Sequence, residues 1–407
     1  MTPGDASPLL RGMDRLLARE TNVSDLLQFL TDSDPLPWAD LVGWVPVSST
    51  REQRLPRGHL ADLVLTASDG GQAVLELKIG HELSDAQRTA YEQYRDARPE
   101  QRRLVLLALA PDGGEVAGSD GWTVLRLSQV AAAWSDSANH AAREVAALMT
   151  ATLGAWDTLL EAVLLPSSDP RSEPLDVLPS KFLARVASRE IARRLSSGRS
   201  TAVDLSESGV TSGGGLALVQ AWTELHGDPY RCLLAEVRWK QFGQRLGAEL
   251  RFGVDFWDEE RETRESREAA WRLARAMSGA ITADALRAHF AVHLPEQVVA
   301  LRPGRSSRSE PVPTWGDVVD RGFASPTNPG GVPGNRRSLR CGFVGDGTRR
   351  FEEAVTLDTS TVTAGDLVDL IRATLDHLVA HLPEDYEELI WNPQTVTVAC
   401  PDTADHR

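Results

Sequence analysis

The sequence predicts an α/β protein in two parts: an α+β core ordered αβββαβ, then a second α/β domain. Three observations predict it. Leu60–Thr66 and Gln72–Ile79 are strand-like runs joined by Ser68-Asp69-Gly70-Gly71, a hairpin turn. Helical spacing of apolar residues recurs on both sides of that hairpin. The stretch Pro-Ser-Ser-Asp-Pro-Arg-Ser-Glu-Pro at 166–174 then separates two regions that each have their own strand and helix patterns. The predicted division is a domain at 1–165, a linker at 166–174 and an accessory domain at 175–395.

Each element has a local cause. Leu9, Met13, Leu16, Leu17, Val23, Leu26, Leu27 and Leu30 predict one amphipathic helix over 9–31, ended by Asp34-Pro35-Leu36-Pro37. Leu41–Val47 is expected as a strand. Ser84–Ala97 is expected as a helix with Ser84 as its N-cap. Leu104–Ala110 is a continuous apolar run before Pro111-Asp112-Gly113-Gly114, hence a buried strand. A short strand at Trp122–Leu127 and a broken helix over 127–165 complete the first part. Beyond the linker, helices are expected at 179–197, 216–226, 259–291 and 364–382. Strands are expected near 230–239, 246–257, 338–344 and 351–357, and 305–335 is expected as a Pro/Gly/Ser-rich loop.

Bulk composition bounds the function. The chain has 407 residues, 42% of them hydrophobic, enough for sizeable cores. No apolar run approaches the roughly 20 residues that span a bilayer, and the first residues lack a basic start. Cys232, Cys341 and Cys400 form neither a zinc spacing nor a disulfide framework, which predicts a reducing, cytoplasmic setting. A net charge of −15 disfavours nonspecific polyanion binding. Arginine clusters at 51–57, 95–103, 185–194 and 336–340 are candidate local patches.

The chemistry concentrates at Val74-Leu75-Glu76-Leu77-Lys78-Ile79. Lys78 is one of three lysines among 43 basic residues. Lysine is a compact ammonium whose pKa the surroundings can move. Glu76 and Lys78 are i and i+2, so they share a strand face, with Leu75, Leu77 and Ile79 on the other. Asp62 interrupts the apolar run of the preceding strand and, if the strands pair, neighbours Glu76. Two adjacent carboxylates repel, and a divalent cation removes the conflict. By itself Glu-x-Lys is weak: three lysines in a chain of this acidity produce roughly 0.4 acidic-x-Lys matches by chance. Thr211-Ser212-Gly213-Gly214-Gly215 is weaker still, because it lacks the Gly-Lys-Ser/Thr of a phosphate loop. Glu236-Val237-Arg238 mimics the Glu-x-Lys strand but has arginine where lysine is wanted.

Taken together, residues of about 9–130 resemble the PD-(D/E)XK nuclease superfamily. Gly58–Leu65 resembles its aspartate-bearing strand, and Val74–Ile79 its Glu-x-Lys strand. Gln87-Arg88-Thr89-Ala90-Tyr91 resembles the Gln-x-x-x-Tyr of the following helix. Arg19-Glu20-Thr21-Asn22-Val23 resembles a first-helix motif. Ala61 stands where many members have proline. The resemblance implies a Mg²⁺-dependent nuclease, with Mn²⁺ able to substitute, acting on nucleic acid and on DNA in particular as an endonuclease. It implies Glu20, Asp62, Glu76 and the Leu77 carbonyl as metal ligands, Lys78 as catalytic cation, and Gln87 and Tyr91 as residues shaping the site. Restriction or antiviral defence is the setting by analogy, with no membrane partner. The accessory domain is left for target recognition, homo-oligomer formation or a protein partner. The rivals are a module that binds nucleic acid or a partner without cutting, and an RNA-cleaving enzyme.

Overall fold

The computed structural model describes residues 8–79, 83–110, 121–178, 181–197, 202–210, 215–242, 245–257, 264–302, 329–330 and 348–391. Among these residues it is a mixed helix-and-strand protein with two five-stranded sheets. The chain folds as two compact units. Unit 1 is Met1–Leu165, Arg171–Glu173 and Leu178–Glu190. Unit 2 is Pro166–Pro170, Pro174–Val177 and Ile191–Arg407.

Unit 1 runs α1 (Pro8–Leu17), α2 (Glu20–Ser33), α3 (Trp38–Val42), β1 (Ser48–Arg54), β2 (Leu60–Thr66), β3 (Gln72–Lys78), α4 (Asp85–Asp96), β4 (Arg102–Ala108), β5 (Trp122–Arg126), α5 (Leu127–Ala132) and α6 (His140–Val163). The strands lie in sequence order in the sheet. β1–β2 and β2–β3 are antiparallel, whereas β3–β4 and β4–β5 are parallel. The parallel step needs a crossover, and α4 supplies it.

Two expectations for this unit are corrected. The helix expected over 9–31 is two helices, because Arg19 is extended (φ −132°, ψ 123°) and α2 restarts at Glu20. The strand expected at Leu41–Val47 does not form. Trp38–Val42 is helical, ended by Gly43 in the left-handed region, where glycine carries no Cβ penalty. Trp38 is fully buried, edge-on to Trp134 at 5.4 Å, and its indole N–H donates to Thr31 Oγ1 at 2.9 Å. That burial, unavailable to an edge strand, decides the local structure. The first strand is instead the polar Ser48–Arg54, at the sheet edge, with alternating exposure. Its Glu52 has φ of +51°, and the β1–β2 ladder skips the Glu52–Asp62 pair.

β3 is the central strand and is covered on both faces, with only Gln72 half-exposed. Val74, Tyr91, Leu104, Leu106, Ala108 and Trp122 pack into one cluster on the face that α4 covers. Glu76 and Lys78 follow Val74 by the strand's period of two, so they end that apolar column. The Glu76–Lys78 pair therefore lies in the interior, not on a half-exposed strand surface.

Unit 2 is an antiparallel meander in the order β10-β9-β8-β7-β6, with β6 (Leu205–Val210), β7 (Ala217–Leu225), β8 (Asp228–Phe242), β9 (Arg245–Trp257) and β10 (Thr348–Leu357). α7 (Lys181–Ser197) precedes it and passes from unit 1 into unit 2 after Glu190. α8 (Arg264–Ala276) and α9 (Ala283–His293) lie between β9 and β10. α10 (Ala364–Ala380) and α11 (Tyr386–Trp391) follow β10. The segment expected as a helix over 216–226 is β7, hydrogen-bonded to β6 and β8 on its two sides. Its Ala, Leu and Gln content favours helix, and two-sided pairing overrides that preference. The charged helix expected over 259–291 is two helices, α8 and α9. The expected strand 338–344, the loop 305–335 except 329–330, and residues 211–214 of the glycine run lie outside the described residues.

Candidate active site

The β2–β3 ladder ends at Leu63↔Leu75. The next pair in register would be Asp62 and Glu76, and there the strands part. Asp62 turns into the opening, and its Oδ2 accepts the Leu77 N–H at 2.7 Å. Glu20, the first residue of α2, reaches the far end of the same strand, where its Oε1 accepts the Ile79 N–H at 2.7 Å. The break between α1 and α2 thus sets a carboxylate beside the end of β3. Two acids 42 residues apart in sequence are fixed by consecutive outward N–H groups of one strand, Leu77 and Ile79.

Glu76 is 2% exposed and Lys78 is 5% exposed. Lys78 Nζ stands 2.6 Å from Glu76 Oε1. Tyr91 donates its O–H to Glu76 Oε2, and Gln87 Nε2 approaches Oε1 at 3.5 Å. Tyr91 Oη also lies 3.4 Å from the Leu60 carbonyl, so one phenol ties β2, β3 and α4 together. Gln87 has a second task. Its Oε1 accepts the Ser84 N–H at 3.3 Å while Ser84 Oγ accepts the Gln87 N–H at 3.2 Å, a capping box that starts α4. Gln87 and Tyr91 are one turn apart, so the cap that starts the helix also aims both at Glu76.

Electrostatics follow from this geometry. Burial, then the Glu76 charge, pushes Asp62 up to about 7, against the lowering from the Leu77 N–H and Lys78. Burial works against the Lys78 ammonium, but Glu76, Glu20 and Asp62 outweigh it and raise its pKa above that of an ordinary lysine. Lys78 is therefore a fixed cation in this state, not a base with a lowered pKa. Burial, then Glu76, also raises the Tyr91 phenol, which keeps its proton for Glu76.

The structure thus gathers Glu20, Asp62, Glu76, Lys78, Gln87 and Tyr91 at one end of β3. Leu77 takes part through its N–H, a contact that side-chain patterns do not reveal. Among the described residues, no group of three or more His, Cys, Asp or Glu side chains is drawn together closely enough to hold a metal ion. Of the acids, Glu76 is already paired with the Lys78 ammonium, and Asp62 and Glu20 are bonded to backbone N–H groups.

The other candidates resolve differently. Glu236 is fully buried and bound by Arg350 at 3.0 Å, by Arg238 at 2.7 Å and by Gln220. Burial raises its pKa, but the Arg350 and Arg238 guanidinium groups overcome this and hold it below the usual range. Its sheet is antiparallel throughout, unlike the mixed sheet of unit 1, so Glu236-Val237-Arg238 is an ion-pair network and not a second copy of the site. Several arginines of the predicted basic patches are also engaged internally. Arg51 pairs with Asp25, Arg103 donates to the Val42 carbonyl at 3.1 Å, and Arg102 lies over the Tyr94 ring at 3.6 Å. Residues 336–340 lie outside the described residues.

No family model matches the chain, and no curated protein matches it. A crystal structure of a repair endonuclease from Pyrococcus abyssi aligns with 23% of this chain and 46% of its own, at 20% identity and a TM-score of 0.17. The alignment therefore spans under half of that protein, and at that score it carries no weight for fold or function. No helix among the described residues is long and apolar enough to cross a membrane.

Proposed function

We propose that unit 1 is a Mg²⁺-dependent nuclease of the PD-(D/E)XK type, hydrolysing phosphodiester bonds in DNA as an endonuclease. One observation carries the proposal. Glu20, Asp62, Glu76 and Lys78 gather at one end of β3: the Ile79 and Leu77 N–H groups hold Glu20 and Asp62, and Lys78 Nζ stands 2.6 Å from Glu76 Oε1. Carboxylates gathered in this way are the donors a divalent cation takes, and burial with the Glu76 charge lifts the Asp62 carboxyl to about 7.

In this proposal Asp62, Glu76 and the Leu77 carbonyl hold the metal, with Glu20 assisting. Oxygen donors of this kind, completed by water and phosphate, suit Mg²⁺, and Mn²⁺ accepts the same donors. Bound there, the ion would act as a Lewis acid on a phosphate oxygen. Lys78, released from Glu76, stabilises charge developing on the scissile phosphate or orients the attacking water. Tyr91 and Gln87 hold Glu76 while that exchange occurs. Residues 175–395 serve target recognition or assembly.

The test is cleavage of plasmid, linear DNA, single-stranded DNA and RNA with Mg²⁺, Mn²⁺ or EDTA. Wild type is expected to cut DNA with either ion and not in EDTA. Lys78→Ala is expected to lower the rate by on the order of 10²–10³, and Asp62→Ala to abolish metal-dependent cleavage. Undiminished cleavage by both variants would refute the assignment. A second reading has its own support, because Glu76 is already held by Lys78, Tyr91 and Gln87. It makes the unit a nucleic-acid-binding module that does not cut, and stable binding without cleavage in either metal would favour it.

A further inference from the structure

Unit 2 carries a separate cluster of metal-ligating side chains. His289 and His293 stand one turn apart on α9, in His289-Phe290-Ala291-Val292-His293. His377 and His381 stand one turn apart at the end of α10, in His377-Leu378-Val379-Ala380-His381. Four of the chain's nine histidines are therefore in two identically spaced pairs, and the fold brings the pairs together. Ring centroids are separated by 4.3 Å for His293–His289, 5.0 Å for His289–His377 and 4.5 Å for His377–His381.

Two of the rings have one nitrogen occupied and the other left over. His377 is 1% exposed, and its Nε2 lies 2.9 Å from the Ala280 carbonyl. A carbonyl only accepts, so Nε2 carries the proton and Nδ1 carries the lone pair. That Nδ1 is buried without a hydrogen-bond partner, a costly state for a polar atom. His381 Nδ1 lies 2.8 Å from the His377 carbonyl, which leaves its Nε2 with the lone pair. Two of the four rings thus have one nitrogen engaged by a backbone carbonyl, which sets the tautomer and leaves the other nitrogen for a metal. Around tetrahedral zinc, with Zn–N bonds of about 2.0–2.1 Å, imidazole centroids stand about 5 Å apart. The three adjacent spacings, 4.3–5.0 Å, bring the rings to within a side-chain rotation of that distance.

We propose that α9 and α10 form a binding site for a borderline divalent transition metal, of the zinc type, held by His289, His293, His377 and His381. The metal cross-links the two helices. Among the described residues no three such side chains already converge on one point, so binding draws in the exposed His293 and His381 rings by side-chain rotation. The all-imidazole donor set selects against Mg²⁺ and Ca²⁺, which take oxygen ligands. The site is therefore chemically distinct from the carboxylate cluster of unit 1.

The test uses the full chain, stripped with EDTA and desalted, in an Asp62→Ala background so that the carboxylates do not compete. Titration with Zn²⁺ alone is expected to show one ion per chain. It should also raise Tm by about 4 °C or more at a free Zn²⁺ concentration 100 times Kd. His293→Gln and His381→Gln alter exposed rings and preserve the fold. Each is expected to weaken binding by on the order of 10–100-fold, and the double variant to remove the Tm shift. His377→Gln, checked by circular dichroism, tests the buried ligand. Zn²⁺ uptake by the double variant at wild-type affinity overturns the proposal, as does no uptake by the stripped parent at micromolar Zn²⁺.

Discussion

At the scale of single residues, Lys78 and Asp62 divide one electrostatic problem between them. Lys78 neutralises the acids by charge, and Asp62 does so by keeping a proton. The second device has a measurable sign. Asp62 is lifted from 3.8 to about 7. Between about pH 4 and 7 the folded chain holds a proton that the unfolded chain has released. Metal-free stability should therefore fall as pH rises through that window, by at most about 1.4 kcal/mol per pH unit. Urea unfolding in EDTA at pH 5 and pH 7 measures it. Wild type should lose stability relative to Asp62→Asn across the interval, and a constant difference between the two would show that Asp62 carries no proton. Of this site, the identities Glu20, Asp62, Glu76, Lys78, Gln87 and Tyr91 are legible in spacing and resemblance. The direction of the Lys78 shift is not, because it depends on burial and on carboxylates that arrive from 16 and 58 residues away in sequence. Nor is the part played by the Leu77 N–H, since backbone donors leave no mark on residue type.

At the scale of elements, α4 couples folding to the site. Its first turn is fixed by the Ser84–Gln87 box, and the same Gln87 touches Glu76. Ser84→Ala should cost about 1 kcal/mol in stability. It should also slow cleavage, because it frees Gln87 from one of its two anchors, whereas Ser84→Asp should restore both. Chemical denaturation and plasmid cleavage on the same three proteins measure this. A loss of stability with no change in rate would uncouple the cap from the site. Strands β2 and β3 are readable in the sequence because apolar runs flank a Gly-containing turn. β1 is not, because an edge strand made of Ser, Thr, Arg, Glu and Gln has no apolar signature. β7 reads as helix because its composition favours one, and only its two neighbours make it a strand. The two His-x-x-x-His pairs are visible in the sequence, but that α9 meets α10 is a tertiary fact.

At the scale of the whole molecule, a net charge of −15 opposes approach to a polyanion, and Arg51, Arg102 and Arg103 are engaged within unit 1. DNA binding should accordingly rest on few phosphate contacts. The slope of log K against log salt is expected near that of three phosphates, about −3, and not the roughly −10 of an extensively basic interface. Fluorescence anisotropy across a salt series checks this, and a slope steeper than about −6 would mean a basic surface forms on binding. The edge of the first sheet has a consequence for assembly as well. A free strand edge is a template on which another chain can add its own strand and propagate. β1 presents Glu52 and Arg54 there, and Glu52 stands in the left-handed region with φ of +51°, where the ladder to β2 skips a pair. Charge and backbone shape at that strand thus work against copies of this protein joining edge to edge through the first sheet.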